Sequence, residues 1–273
     1  MHDFKPPADH KNPQILLWRF TALLIAVNTG LFGWQVMSGM DISNPSTADA
    51  IRWGADYAPL TYLAEPVRLF SSMFFHFGLI HLALNMWALY IFGSIAEQMM
   101  GRAYYAGLYL LAGLSGSLLS GYMTIRDSYT LLQQNALNHD LLPSVGAGAS
   151  GAVMGIGAAL TVISLLPQLK TARFLLDKKT LLMVMGINLA LGFTISGINN
   201  AAHIGGMMMG AVLAAAWYTG QKLQRASVIN MIALIAGAAA LWFMYQYCLL
   251  LVQGILPLWK ELVMMMLKTI SAA

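Results

Sequence analysis

The feature that most limits how this chain can fold is a series of long apolar runs with hardly a charge inside them. Stretches long enough to cross about 30 Å of hydrocarbon are Ile15 to Met37, Leu69 to Phe92, Tyr104 to Met123, Ala149 to Leu166, Thr180 to Ile195, Ala201 to Tyr218 and Val228 to Leu251. Lipid offers backbone amides and carbonyls no water to bond with, so such runs must close their hydrogen bonds internally, as helices. Only 10% of the 273 residues are charged, against about 25% in an average soluble domain. The expected fold class is therefore all-α, a polytopic membrane helical bundle with no soluble domain.

The same runs set the expected organisation. Residues 1–14 form a polar tail, residues 15–218 a core of six transmembrane helices, residues 228–251 a seventh, and residues 252–273 a C-terminal interfacial tail with Trp259 and several methionines. The first run is too long for a signal-peptide core and has no small-residue cleavage site after it, so it is expected to remain. Residues 38–68 and 124–147 are expected as outer loops, the first lying partly in the interface through Trp53, Tyr57, Leu60, Tyr62 and Leu63.

Charge sets the orientation. With the N-terminus inside, the inner segments carry Lys5, Lys11, Arg19, Arg102, Lys170, Arg173, Lys178, Lys179, Lys222 and Arg225, against Arg52, Arg68, Arg126, Lys260 and Lys268 outside. That imbalance favours a cytoplasmic N-terminus. The net charge of +4 is accounted for by lysines facing anionic lipid and calls for no nucleic-acid partner. Cys248 is the only cysteine, which excludes an internal disulfide and a thiolate metal site, and the run Met207 to Met209 lacks the clustered histidines a soft-metal site would need. No metal and no cofactor is expected.

Three polar groups interrupt the apolar runs: His76, His81 and Asn85 in "HFGLIHLALN"; Ser150 in "VGAGASGAVMGIGAAL"; and Asn199, Asn200 and His203 in "NNAAHIGGMMMG". Polar side chains at membrane depth are costly and turn toward the bundle interior or a wet cavity, which makes each a functional candidate. On the inferred topology the second, fourth and sixth runs all proceed from outside to inside. Ser150 and His203 then fall in the first turn of their helices, at similar depth below the outer face. His81 and Asn85 are four residues apart and share a helix face.

Small residues supply the reason for these groups to meet. Ala147, Gly151 and Gly155 recur every four residues in one run, Ala202, Gly206 and Gly210 in another, and such stripes let helix backbones approach closely in lipid. Ser150 and His203 border the two stripes. A serine becomes a nucleophile when a base takes its proton, and histidine is the commonest such base. His81, Asn85 and the Ser150 amide are candidate oxyanion donors. No carboxylate neighbours His203 in sequence, so the expected arrangement is a Ser-His dyad in a cavity lined by His76, His81, Asn85, Asn200 and Ser150. Taken singly, Ser150 reads as a helix cap and the histidines as interhelical hydrogen-bonding groups. A transporter with histidine relays should show paired similar halves, and this sequence has none.

These motifs resemble those of the rhomboid family of intramembrane serine proteases. The likeness rests on "GASG" (Gly148 to Gly151), "AHIGGMMMG" (Ala202 to Gly210) and "HFGLIHLALN", with "EPVRLFSSMFFHFG", Glu97 and Gly101-Arg102 in support. It covers residues 54 to 218 and implies a six-helix core of bacterial type plus one C-terminal helix, in a bacterial inner membrane, with its active site opening outward. It further implies Ser150 as nucleophile, His203 as base, His81 and Asn85 as oxyanion partners, and supporting roles for His76, Asn200, Gly148, Gly151, Gly206, Gly210, Met154 and Arg68. Substrates would be single-pass or polytopic membrane proteins cut near the outer end of a transmembrane segment; the alternative is an inactive relative that binds such segments. Two positions depart from the family pattern: Val67 precedes Arg68 where a tryptophan is usual, and Met154 stands where some members have a tyrosine over the histidine. The first outer loop and the fifth span are the expected substrate gate.

Overall fold

A computed structural model describes residues 18–134, 138–167, 169, 177–194 and 199–272. The N-terminal tail and the first residues of the first apolar run lie outside the described residues, as do Lys170 and Arg173. Helix α1 (Arg19–Met37) is followed by an outer segment made of α2 (Thr47–Arg52), a two-residue strand β1 (Asp56–Tyr57), α3 (Ala58–Leu63) and the single turn α4 (Arg68–Ser71). Helices α5 (Leu79–Ala88) and α6 (Ser94–Met100) are continuous through a π turn at Leu89–Gly93. Then come α7 (Arg102–Gln134), β2 (Val145–Gly146), α8 (Ser150–Leu165), α9 (Lys178–Thr194), α10 (Asn200–Lys222), α11 (Ala226–Val252) and α12 (Leu256–Ala272). Five helical stretches among the described residues are long and apolar enough to cross a membrane: Arg19–Met37, Leu79–Met100, Arg102–Gln134, Asn200–Lys222 and Ala226–Ser271. The protein is an all-α polytopic bundle.

Several boundaries differ from the apolar runs for local reasons. The run Leu69 to Phe92 is broken, because Phe75 leaves a 3₁₀ turn (Ser72–Phe74) in extended conformation and Gly78 takes φ 91° to start α5. A Cβ on Gly78 would also meet the Ser43 carbonyl. Helix α7 continues to Gln134, well past Met123, so the first half of the expected second outer loop is helical. Hydropathy reports the stretch that suits lipid, whereas the helix persists through its polar extension. Ala147 lies in the coil before α8 and so does not belong to the α8 stripe, because Gly148 at φ 122° interrupts the helical path.

Burial fixes how the helices are arranged. On α1 the polar residues Thr21, Asn28 and Gln35 recur every seven positions and are all buried with Leu24 and Phe32, so this one stripe faces the bundle. Glu97 on α6 ties down the start of α1: its carboxylate accepts from the Phe20 amide at 2.9 Å, and from the Thr21 amide and hydroxyl at 2.8 Å each. Arg102 adds its guanidinium Nε at 3.7 Å from the same carboxylate. The centre of the bundle is α8, whose residues from Gly151 to Thr161 are all buried, against α7 and α10.

The outer segment is a structured layer. Arg68 is buried, donates to the Ile51 and Ala55 carbonyls at 2.8 and 2.9 Å, and pairs with Glu65 at 2.8 Å. Asp56 is buried and accepts a 2.6 Å hydrogen bond from the Thr61 hydroxyl. Burial pushes its carboxyl up from 3.8 to about 6, with the Thr61 bond and the Arg68 charge pulling the other way. A carboxyl raised on folding adds stability that is fully present below about pH 4 and is lost as pH rises through about 6. Thermal unfolding in detergent should therefore occur at higher temperature at pH 5 than at pH 7.5, and Asp56→Asn should flatten that slope. An unchanged slope in Asp56→Asn would assign the pH dependence elsewhere.

Candidate active site

The approach of α8 to α10 is set by glycines. A Cβ on Gly206 would strike the Gly151 carbonyl, one on Gly210 the Gly155 carbonyl, and one on Gly155 would come within 2.8 Å of the Gly206 oxygen. A third helix joins them, since Gly116 of α7 faces the Ala202 carbonyl at 2.6 Å from an added Cβ. Backbones in such contact gain packing energy that lipid does not compete with. They also bring the first turns of α8 and α10 side by side.

Ser150 is the first residue of α8 and His203 lies in the first turn of α10. The hydroxyl oxygen and the imidazole Nε2 are 3.0 Å apart, a hydrogen bond between residues 53 positions apart in sequence. His203 is buried, and its Nδ1 has no hydrogen-bond partner among the described residues. The α10 terminus is held by Asn199, whose Oδ1 accepts from the Ala202 amide at 3.0 Å and whose Nδ2 donates to Ser120 of α7. Asn199 counted in the sequence only as a polar residue within a span. Its part as a cap was legible from its place just ahead of the helix.

His81 stands beside the loop that leads into Ser150. Its Nδ1 accepts from the Phe77 amide at 3.2 Å, which places the hydrogen of the neutral ring on Nε2. That nitrogen faces Gly148, where an added Cβ would be 2.9 Å away. Gly148 thus has two reasons to be glycine, a φ of 122° and the ring against it, and its own amide donates to the Ser72 carbonyl at 2.8 Å. Gly148→Ala should turn the His81 ring out of place and, under the Ser150–His203 activity proposed below, lower cleavage by ~10-fold or more. Wild-type turnover in that variant would show the ring position to be immaterial.

The other expected site residues divide. Asn85 is buried on the same face as His81 and donates through Nδ2 to the His81 carbonyl at 2.9 Å. His76 packs edge-on against His81, ring centroids 5.2 Å apart, and is fully buried rather than open to a cavity. Asn200, the first residue of α10, has both side-chain polar atoms buried and unpartnered among the described residues. Met154 packs with Ala158, Met185 and Met207. Arg68 anchors the outer segment through the bonds given above, while its neighbour Val67 is exposed. No cluster of three metal-ligating side chains occurs among the described residues.

Fold and site together define a polytopic helical membrane protein with a polar centre set between closely packed helices. The rhomboid domain model matches residues 63–222. The chain is 31% identical over 197 residues to rhomboid protease GluP of Bacillus subtilis (strain 168), covering 72% of this chain and 34% of that protein. It is 27% identical over 238 residues to rhomboid protease AarA of Providencia stuartii, covering 83% and 82%. To RHOMBOID-like protein 2 of Arabidopsis thaliana it is 31% identical over 185 residues, 67% of this chain and 53% of that one. It spans about a third of the length of GluP and about half that of the plant relative. The chain belongs to the rhomboid family, whose chemistry at family level is hydrolytic and whose proteases act on membrane proteins within the bilayer.

Proposed function

We propose that this protein is an intramembrane serine endopeptidase that cuts transmembrane segments of membrane-protein substrates with a Ser150–His203 dyad. The observation that carries this reading is the 3.0 Å contact between the Ser150 hydroxyl and His203 Nε2. As Oγ of Ser150 bonds to the scissile carbonyl carbon, Nε2 takes the hydroxyl proton. The negative charge on the carbonyl oxygen meets the Ser150 amide at the free N-terminus of α8, the Nε2–H of His81 and the second Nδ2 hydrogen of Asn85. His203 passes its proton to the departing amine. It then takes a proton from the water that attacks the acyl carbon and hands it to Ser150 Oγ as the ester bond breaks, which frees the acid product and restores the hydroxyl.

Helix α8 has 16 residues, about 24 Å of length, less than the hydrocarbon thickness of about 30 Å. With the N-terminus cytoplasmic, Ser150 lies below the outer face of an inner membrane, and water enters from that side. The same proposal divides the chain into an N-terminal tail (1–14), a six-helix core (15–218), an additional helix (228–251) and a C-terminal tail (252–273). Cleavage of a reporter transmembrane substrate by the purified protein in liposomes should be lost in Ser150→Ala; equal cleavage by both would refute the reading.

A further inference from the structure

We propose that α12 is a splint for the nucleophile loop: its inner face, Val263, Met266 and Ile270, positions the β1–β2 pair and through it the segment entering Ser150. The inference rests on the activity proposed above. Three observations carry it.

The first is where α12 sits. Trp259 is fully buried, tilted against Tyr62 at 6.1 Å, and its indole N–H donates to the Ser128 hydroxyl of α7 at 2.9 Å. Tyr129 donates to the Leu251 carbonyl at 2.7 Å, just before the turn that leads into α12. The segment that follows the matched rhomboid domain thus folds back over the outer segment.

The second is what the rest of α12 touches. Val263, Met266 and Ile270 lie on one helix face, and they pack in a single apolar cluster with Ile51, Tyr57, Leu60 and Val145. Tyr57 and Val145 are the facing residues of the antiparallel pair, with Asp56 opposite Gly146. One cluster therefore joins the C-terminal helix, the outer segment and the strand five residues before the nucleophile.

The third is that this pair has too little of its own to stand on. Two residues per strand make a ladder far below what is stable alone, since even an isolated hairpin is marginal in water. Its order must come from packing on both sides. Arg68 and Asp56 hold β1 from within the outer segment, and the inner face of α12 packs on the cluster of Ile51, Tyr57 and Leu60 against which Val145 also rests. From β2 the chain runs directly to Gly148, which must sit against His81, and to Ser150. Val263, Met266 and Ile270 are positioning residues in this scheme.

The test uses the full chain in liposomes. Met266→Ser with Ile270→Ser removes the inner face, Met266→Leu with Ile270→Val conserves it, and Met264→Ser with Met265→Ser alters the exposed face. Amide hydrogen exchange, reporter cleavage and thermal unfolding are measured for each. The serine pair on the inner face should speed exchange around residues 56–57 and 145–146 by about tenfold, leaving the interiors of α8 and α10 protected. It should lower kcat by about tenfold with little change in KM, while the other two pairs behave as wild type. Uniformly faster exchange, a kcat loss that only follows the fall in unfolding temperature, or wild-type exchange in the inner-face variant would overturn the proposal. The exchange result does not depend on catalysis, so a failure of Ser150→Ala to abolish cleavage would refute the activity without deciding the splint.

Discussion

Gly206→Ala is expected to destabilise the bundle centre by ~1–3 kcal/mol and to cut cleavage by ~100-fold, although it adds a single methyl group. The new carbon would run into the Gly151 carbonyl, and that atom belongs to the backbone of the next helix rather than to a side chain that can swing away. One helix must therefore shift, and Ser150 sits one residue before Gly151 while His203 sits three before Gly206. Gly30→Ala is the matched comparison, because a Cβ on Gly30 of α1 meets nothing within 4 Å. Replacing a solvent- or lipid-facing helical glycine by alanine is favourable by roughly 0.5–1 kcal/mol. Unfolding midpoints and reporter cleavage for the two variants check this together. Similar behaviour of both would mean that the glycine contacts do not hold the two helices in place.

The second large effect is at His203. His203→Gln keeps a polar side chain of comparable reach and removes the base, and turnover is expected to fall by ~10²–10⁴-fold. The fold should be almost unaffected, because the packing at this crossing is carried by Gly206 and Gly210 rather than by the imidazole. Cleavage and the unfolding temperature, measured on one preparation, separate the two. A loss of activity that merely tracks a loss of stability would assign His203 a structural part.

Much of this arrangement is legible in the chain. The runs that became α1, α7, α10 and α11 could be read because lipid forbids an unpaired backbone, which leaves long apolar stretches one choice. The spacing of Gly151 and Gly155 against Gly206 and Gly210 carried the approach of α8 to α10 for the same reason, since closeness in lipid is governed by side-chain size. Membership of the rhomboid family followed from motifs on α5, α8 and α10.

What stayed hidden depends on local geometry or on a distant partner. Ala147 fits the four-residue spacing in sequence, yet a left-handed glycine at 148 takes it off the helix. At Gly78 a positive φ likewise breaks the run, and the Ser43 carbonyl of the outer segment leaves no room for a Cβ there. The tautomer of His81 follows from the Phe77 amide, a bond no residue pattern announces. The amphipathic tail promised an apolar face but not its occupant. Only the structure sets Val263, Met266 and Ile270 on the cluster of Ile51, Tyr57 and Leu60 that Val145 also packs against.

The most direct test of the central claim is chemical. The purified protein in liposomes is treated with a fluorophosphonate, and the adduct is mapped by mass spectrometry in the wild type and in His203→Ala. The dyad predicts one adduct, on Ser150, forming ~100-fold more slowly without the imidazole. An adduct on a different serine, or equal rates in the two proteins, would contradict it.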